Sequence, residues 1–191
     1  FPYTGNDDGI IDTTSLFAKR DLEQTADISA ATRMTVENDR TIEITEDGVY
    51  VISGTASNCT IKVIADDSAK VQLVLDVLTV TNDDFPVIYV LSADEVLVTT
   101  TEGTSNCMTV TGAFKADGDS NTDAVIFSKE DIVFNGLGTL KITSSGNGIA
   151  GKDDVRFTGG TYDINADNNG IEGKNYIAVC GGTFTIDAAR D

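Results

Sequence analysis

The sequence has no histidine and no tryptophan, and only 2 prolines and 3 cysteines among its 191 residues. Zinc and copper sites are built largely from histidine and cysteine, so this chain suits hard, oxygen-seeking cations such as Ca²⁺ better. Without tryptophan, a flat outward row of aromatic side chains that could grip crystalline cellulose is not expected. No apolar run reaches the ~18 residues of a transmembrane helix, so no membrane span is predicted.

Positive charge is also scarce, with 13 Lys and Arg against 31 Asp and Glu, for a net charge of −18. Nucleic acids and anionic membranes bind positive protein surfaces, so both are excluded as expected partners. Asp and Asn are common beside Gly in the predicted corners, and their oxygen atoms are ligands that Ca²⁺ prefers. The composition therefore predicts Ca²⁺ as the cofactor. The alternative is that the acidic corners only keep the protein in solution.

A repeat in the last third of the chain predicts the architecture. The segment Asn147–Lys152 returns as Asn169–Lys174, 22 residues later, and Gly159–Tyr162 returns as Gly181–Phe184 at the same interval. One such repeat is too short to bury an apolar side alone, so neighbouring repeats must stack on each other. Short alternating strands with Gly, Asn and Asp corners indicate rungs of a parallel β-helix.

The strands within the repeat alternate between apolar and polar residues. Val155 and Phe157 are therefore expected to point inward, as are Ile177 and Val179 one rung later. Weaker copies of the pattern extend upstream to about residue 42 and give about five rungs in total, with lengths that vary at the corners. A chain of 191 residues with this pattern predicts one all-β domain.

The N-terminal region lacks this alternation. Asp12–Glu23 places capping residues before a partly apolar run, which predicts a short helix covering the open N-terminal end of the solenoid. Residues 1–35 are accordingly assigned to an N-terminal arm and capping segment, and residues 36–191 to the β-helix. Lys115–Asp123 is the clearest long loop.

The three cysteines are predicted to be free thiols. Ser57-Asn58-Cys59 and Ser105-Asn106-Cys107 recur 48 residues apart, or about two rungs. At ~4.8 Å per rung their sulfur atoms would lie about 9–10 Å apart, which is too far for a disulfide. Cys180 has no partner at a suitable spacing.

Acidic residues recur at two corners of the predicted stack. The first corner draws on Asp131, Asp153 and Asp154, and the opposite corner on Asp167, Asn169 and Asp191. Their near-regular spacing would superpose them on adjacent rungs. These six residues are the candidate Ca²⁺ ligands.

Three lysines stand at equivalent positions beside the first acidic corner, namely Lys129, Lys152 and Lys174. Eliminative cleavage of a uronate needs Ca²⁺ on the carboxylate and a basic residue to remove the C5 proton, so these lysines are the candidate bases of a lyase. The alternative is that they are interleaved charges that stabilise the stack.

Six segments, taken in order, carry a resemblance to a known family. They are Arg20–Thr25, Gly48–Thr55, Ala69–Leu75, Glu102–Asn106, Ile126–Asp131 and Gly151–Asp154. Together they resemble the secreted bacterial "carbohydrate-binding domain-containing" β-helix proteins, a family that includes a calcium-containing cellulose-binding protein similar to family 9 pectate lyases. The resemblance implies a right-handed parallel β-helix, an extracellular or cell-surface location, bound Ca²⁺ and affinity for plant-wall polysaccharide. Relatives commonly have Asp-Gly-Ile where this chain has Asn147-Gly148-Ile149 and Asn169-Gly170-Ile171.

Three functions are compatible with these features. The first is a non-catalytic, Ca²⁺-assisted module that binds cellulose or pectic polysaccharide. The second is a pectate-lyase-like enzyme. The third is a surface or filament protein that stacks end to end, because Asn6–Ile10 resembles the rung corner Asp167–Ile171 and the edge at Asp191 would otherwise be bare. The start at Phe1, without Met, fits a processed, secreted chain.

Overall fold

The computed structural model describes residues 16–190, and all regular structure in this range is β-strand. The strands are short where the chain turns a corner after one face and long where it continues across two. Their bounds are β1 Thr32–Thr35, β2 Arg40–Ile44, β3 Gly48–Ser57, β4 Cys59–Ile64, β5 Lys70–Asn82, β6 Ile88–Ser92, β7 Glu95–Thr100, β8 Ser105–Val110, β9 Ala124–Ser128, β10 Asp131–Gly136, β11 Thr139–Ser144, β12 Asn147–Gly151, β13 Val155–Asn169, β14 Ile171–Gly173 and β15 Ile177–Arg190.

The strands form three faces, and every pairing between them is parallel. Face 1 contains β1, β7, β10 and the first halves of β3, β5, β13 and β15. Face 2 contains β8, β11 and the second halves of the same four long strands. Face 3 contains β2, β4, β6, β9, β12 and β14. The chain is therefore a parallel β-helix, as the repeat predicted.

Face 1 stacks seven strand segments, from β1 to β15. The sequence pattern had given about five rungs. Part of the difference comes from β1, whose four residues include one apolar side chain, Met34. A strand this short, with one apolar residue, shows no detectable alternation in the sequence. The stack also begins earlier than predicted, because β1 lies within residues 1–35, which were assigned to the arm and capping segment.

The inward side chains form one continuous core. Val155 and Phe157 are fully buried, as their alternation predicted. Phe134 and Phe157 stack with ring centroids 4.8 Å apart, and Tyr162 stacks on Phe184 at 5.1 Å. Because equivalent side chains in adjacent layers superpose, one aromatic residue per layer is enough to build a continuous column.

The predicted capping helix is wrong for the part of it that the structure describes, residues 16–23. These residues form successive turns, with the N–H groups of Asp21, Leu22 and Glu23 each bonded to a carbonyl three residues earlier. Residues 12–15 of the prediction lie outside the described range. Residues 16–31, here called the strap, lie along the outside of face 1 and not across the N-terminal end.

Specific hydrogen bonds explain the route of the strap. The amide of Asn135 donates to the carbonyls of Asp21 and Glu23 at 3.2 and 3.0 Å. The Gly136 N–H donates to Gln24 Oε1 at 3.0 Å, and Gln24 Nε2 donates to the Thr158 carbonyl at 3.2 Å. The strap is thus fixed to β10 and β13, the fifth and sixth of the seven face 1 segments.

The strap also accounts for an apolar outer surface on face 1. Four apolar side chains alternate with the inward residues of face 1 and therefore point outward, apart from the main core. They are nevertheless buried, and they are Val51, Val74, Leu97 and Val133. Ile28 of the strap borders the same small cavity as Val51 and Val74. Face 1 is therefore covered on both sides, which explains its nearly continuous apolar strands.

The last layer is covered on one side only within the described residues. Ile177, Val179 and Ile186 of β15 are 44%, 56% and 46% exposed, whereas the equivalent residues of β13 are buried. Sequence alternation gave their direction correctly, but an inward residue in the final layer has no further layer to contact.

Cys59, Cys107 and Cys180 are free thiols, as predicted. The reasoning for the first pair was wrong, because Cys59 lies on β4 of face 3 and Cys107 on β8 of face 2. In residues 16–190 no helix is long and apolar enough to cross a membrane.

Candidate functional site at the acidic corner

The chain turns from face 3 to face 1 at one corner, where acidic residues accumulate layer after layer. This acidic corner contains Glu46, Asp47, Asp66, Asp67, Asp94, Glu95, Glu130, Asp131, Asp153 and Asp154. Because the turns are stacked, carboxylates distant in sequence become neighbours along the ridge. Part of the protein's negative charge, which is −18 in total, is thus concentrated on one edge of the solenoid.

Three of these carboxylates come together. Ligand oxygens of Asp131, Asp153 and Asp154 all lie within 4.8 Å of one another, and none of the three side chains is fully exposed. Asp131 begins β10, whereas Asp153 and Asp154 precede β13 in the next layer, so the parallel register of these two strands creates the group. The sequence had predicted this grouping from the spacing of the three residues and from the family resemblance.

Arg156 lies at the centre of the surrounding charges. Its guanidinium contacts Asp131 Oδ2 at 2.5 Å, Asp154 Oδ2 at 3.1 Å, Glu95 Oε2 at 3.2 Å and Asp21 Oδ2 at 3.7 Å. Its Nε also donates to the Tyr176 hydroxyl at 3.3 Å. One cation therefore serves four carboxylates, one of which belongs to the strap.

Three carboxyl groups of the corner, those of Glu95, Glu130 and Asp131, have raised pKa values. Burial, followed by the carboxylate of Asp21, raises the pKa of Glu95. Burial also raises the pKa of Asp131, despite the opposing effect of Arg156, and the charge of Asp154 adds to the rise. For Glu130, burial and the charges of Asp67, Asp153 and Asp131 raise the pKa in the same way. At each of these three groups, a neighbouring carboxylate thus adds to the effect of burial.

Asn175 completes the group from the next layer. Its Nδ2 donates to Asp154 Oδ1 at 2.7 Å and to Asp153 Oδ1 at 3.4 Å. Rotation of this amide would present Oδ1 to a cation held by the same two aspartates. Asn175, Arg156 and Glu130 were not among the predicted ligands, although Asn175 follows Asp153 by 22 residues, the period of the repeat.

The structure describes two of the three residues of the second predicted group. Asp167 is exposed, and Asn169 is engaged in a polar ladder in which its Nδ2 donates to Glu172 Oε2 at 3.2 Å. Asp191 lies outside the described residues. Within residues 16–190, Asp131, Asp153 and Asp154 are the one group of three or more acidic or cysteine side chains close enough to hold a metal together.

The three predicted lysines do occupy equivalent positions. The N–H groups of Lys129, Lys152 and Lys174 each donate to a face 3 carbonyl of the preceding layer, at 3.0, 2.8 and 2.9 Å. Lys152 Nζ lies 3.4 Å from Glu172 Oε1 and 5.3 Å from the centroid of the Phe127 ring. Lys152 is thus already engaged by an acid and an aromatic ring.

Comparison with known proteins identifies the family. Residues 38–191 match the family described as "Carbohydrate-binding domain-containing protein". The chain belongs to this family. A relative with the same description, from Acetivibrio thermocellus, is 32% identical over 126 residues, which cover 64% of this chain and 44% of the relative. The chain thus spans less than half of that relative's length.

A solved structure has a similar fold. It is described as the polysaccharide lyase-like protein from C. thermocellum, in a gadolinium derivative. The two chains superpose with a TM-score of 0.65 and 27% identity, over 82% of each chain. The parallel β-helix and the carbohydrate-binding family therefore rest on independent comparisons of structure and sequence.

Proposed function

We propose that this chain is an extracellular, non-catalytic polysaccharide-binding module that is stabilised by Ca²⁺ at the acidic corner. The observation that carries the proposal is the convergence of Asp131, Asp153 and Asp154 in a member of a carbohydrate-binding family. Cellulose and pectic polysaccharide are the two ligand classes to be tested.

The chemistry of the corner supports Ca²⁺ in particular. Ca²⁺ takes six to eight oxygen ligands, and three carboxylates with the Asn175 amide supply a partial shell that water can complete. Mg²⁺ demands a stricter octahedral geometry, which a ridge of stacked turns does not provide. Gadolinium, present in the similar structure, is also a hard cation that favours oxygen ligands.

The environments of two basic residues, Arg156 and Lys152, favour binding over catalysis. A lyase needs a base that can accept the C5 proton of a uronate. Arg156 is not suited to this role, because its hydrogen bond with Tyr176 and the charge of Asp131 raise its pKa despite the opposing effect of burial. Lys152 is held between Glu172 and Phe127.

The charge of the protein also bears on the choice of sugar. A surface with a net charge of −18 repels uronate chains, so pectate would need a bridging cation. Neutral cellulose has no such requirement. Pectate binding should therefore depend on Ca²⁺ directly, whereas cellulose binding should depend on Ca²⁺ only as far as the ion stabilises the fold.

Thermal unfolding with Ca²⁺ and with EGTA tests the cation site. We expect Ca²⁺ to raise the melting temperature of the wild type and Tb³⁺ to bind with enhanced luminescence, because an ion bound only to the folded state stabilises it. Asp153→Asn should lose most of this response, and Asp167→Asn, at an exposed position, should keep it. An equal response in both variants would contradict the site.

Pull-down on insoluble cellulose and on pectate, with parallel measurement of ultraviolet absorbance from unsaturated uronate, tests the activity. We expect binding without product. Release of unsaturated product that is lost in Lys152→Ala or Lys174→Ala would instead establish a lyase. Retention of neither polysaccharide, by a protein shown to be folded, would contradict the proposed function.

End-to-end association is a second proposed property, favoured by the exposure of Ile177, Val179 and Ile186 on β15. An unpaired strand edge with apolar side chains is a template for another strand. The partner would be a further layer of β-helix or another copy of the chain. The predicted N-terminal arm, residues 1–11, lies outside the described residues.

A further inference from the structure

Two aromatic side chains lie on the outside of face 3, apart from the main core. Tyr89 alternates with the inward Ile88 and Val90, and Phe127 follows the inward Ile126. The two are register partners in adjacent layers, with ring centroids 5.8 Å apart and planes inclined by 62°. Both are nevertheless almost completely buried, at 0% and 1% exposure. Something other than the β-helix core must therefore cover them.

Part of the cover comes from residues 111–123, between β8 and β9, here called the 111–123 loop. The Tyr89 hydroxyl donates to Asp117 Oδ2 at 3.0 Å, and Asp117 pairs with Ser120 through two backbone hydrogen bonds. The loop is anchored at its start, where the Gly112 N–H donates to the Asp83 carbonyl at 2.7 Å. It thus reaches face 3 from a fixed base.

The tip of this loop has little apolar material with which to hold its position. Residues 115–123 contain one apolar side chain, Ala116, and residues 115–119 are all exposed. Segments with few buried apolar contacts and an exposed backbone open at low free-energy cost. The hydrogen bond between Tyr89 and Asp117 joins the loop tip to the aromatic pair, and the exposed ion pair of Lys115 with Asp84 holds the start of the tip. Phe85, which is not part of the loop, packs edge-on against Tyr89 at 5.4 Å.

Polar groups surround the two rings. Lys62 Nζ lies 6.0 Å from the centre of the Tyr89 ring, and Lys152 Nζ lies 5.3 Å from that of Phe127. Glu172 joins the same rim through Lys152, and the amide of Asn147 donates to Glu172 Oε2 at 3.4 Å. Aromatic faces inside a rim of charged and amide groups are what a pyranose needs, because its C–H faces are apolar and its hydroxyls lie at the edge.

We infer that Tyr89 and Phe127 form a stacking site for a single neutral β-linked glucan chain, which becomes accessible when the tip of the 111–123 loop moves away. This inference rests on the proposed function and specifies where the sugar binds. The inclined rings would flank one chain and could not lie flat on a crystal face. Glu172 stays on the rim when the loop moves, and its carboxylate disfavours a uronate, so a neutral chain is the expected ligand.

Calorimetric titration with cello-oligosaccharide tests the inference. Tyr89→Phe keeps the ring but removes the bond to Asp117, and Asp117→Ala removes its acceptor. Both should bind roughly five- to tenfold more tightly than wild type, because a site that is mostly closed binds in proportion to its open fraction. Phe127→Leu keeps an apolar residue but loses the aromatic face, and should bind about tenfold more weakly.

A matched control removes a phenol hydroxyl elsewhere. Tyr50 donates to the Glu46 carbonyl at 2.9 Å, at a distant corner, so Tyr50→Phe should leave the affinity unchanged. Amide hydrogen exchange gives a second readout. Saturating oligosaccharide should accelerate exchange in the 111–123 loop, because the bound chain holds it open, whereas a loop with only a structural role would show no change or more protection.

The outcomes separate this inference from the proposed function. If wild type binds cellulose while Tyr89→Phe, Asp117→Ala and Phe127→Leu all match it in affinity, the stacking site is wrong and the proposed function stands. If Asp117→Ala binds oligosaccharide that wild type does not, the covered site is supported. If neither protein binds oligosaccharide or insoluble polysaccharide, both ideas fail.

Discussion

The strap and the 111–123 loop both cover outward apolar residues of the β-helix, but they are held in different ways. The strap is fixed by buried side chains of β10 and β13, and by an ion pair between Asp21 and Arg156. At the loop tip, the Tyr89 hydroxyl donates to the exposed Asp117, and Lys115 forms an exposed ion pair with Asp84. The two covers therefore differ in their expected stability, which suits a permanent role for the strap and an opening role for the loop.

The largest expected effect is the loss of Arg156, which joins the strap to the acidic corner. Arg156→Met should lower the free energy of unfolding by about 3–5 kcal/mol, because it leaves the buried Asp21 carboxylate without its cation and removes the nearest of the cations around Glu95. Chemical denaturation measures this change. Added Ca²⁺ should restore part of the loss by neutralising Asp131 and Asp154. A loss below 1 kcal/mol would mean that Arg156 does not hold the strap.

A pair of asparagine variants tests the comparison directly. Asn135→Ala removes an amide that donates to two strap carbonyls and accepts from Thr99 Oγ1 at 2.6 Å, all in a buried setting. We expect a loss of about 2–3 kcal/mol. In the loop, Asn121→Ala removes an exposed contact to Asp123 and should change stability by less than about 0.5 kcal/mol. Equal losses would show that both covers are structural.

The β-helix itself could be predicted from the sequence, whereas the two segments that cover it could not. The 22-residue repeat was enough to give the parallel pairing, the direction of Phe157, the equivalence of the three lysines and the proximity of Asp131 to Asp153 and Asp154. All of these follow from local period and stacking. The repeat could therefore also give the corner where a cation is proposed to bind.

The route of each covering segment could not be predicted in the same way. Gln24 bonds to Thr158 across 134 residues, and no repeat in the chain encodes that contact. Alternation does place Tyr89 and Phe127 outward, but it does not show that a polar loop folds over them. The covered aromatic pair could therefore not be recognised from the sequence.

The edge at β15 provides a smaller effect, on assembly more than on stability. Val179→Lys places a charge at a position that is 56% exposed, so the free energy of unfolding should change by less than about 1 kcal/mol. If the edge mediates end-to-end association, light scattering should show the variant as monomeric where wild type forms larger species. A wild type that stays monomeric at high concentration would contradict association through this edge.

The smallest expected effect concerns Glu130, which lies beside the proposed cation site but forms no side-chain ion pair in the described residues. Burial, and then the charges of Asp67 and Asp153, raise its pKa above that of the unfolded chain, so ionisation of Glu130 disfavours the folded state. Glu130→Gln should therefore increase stability without Ca²⁺ at neutral pH. The gain should shrink as the pH falls through the folded pKa and vanish below the unfolded value of about 4.3, where both forms are neutral.

Denaturation at several pH values measures this gain in stability, with the exposed Glu102→Gln as control. Saturating Ca²⁺ should reduce the gain, because an ion on Asp131 and Asp153 offsets the same repulsion. A gain that is independent of both pH and Ca²⁺ would show that the substitution acts through packing and not through the charge of the corner.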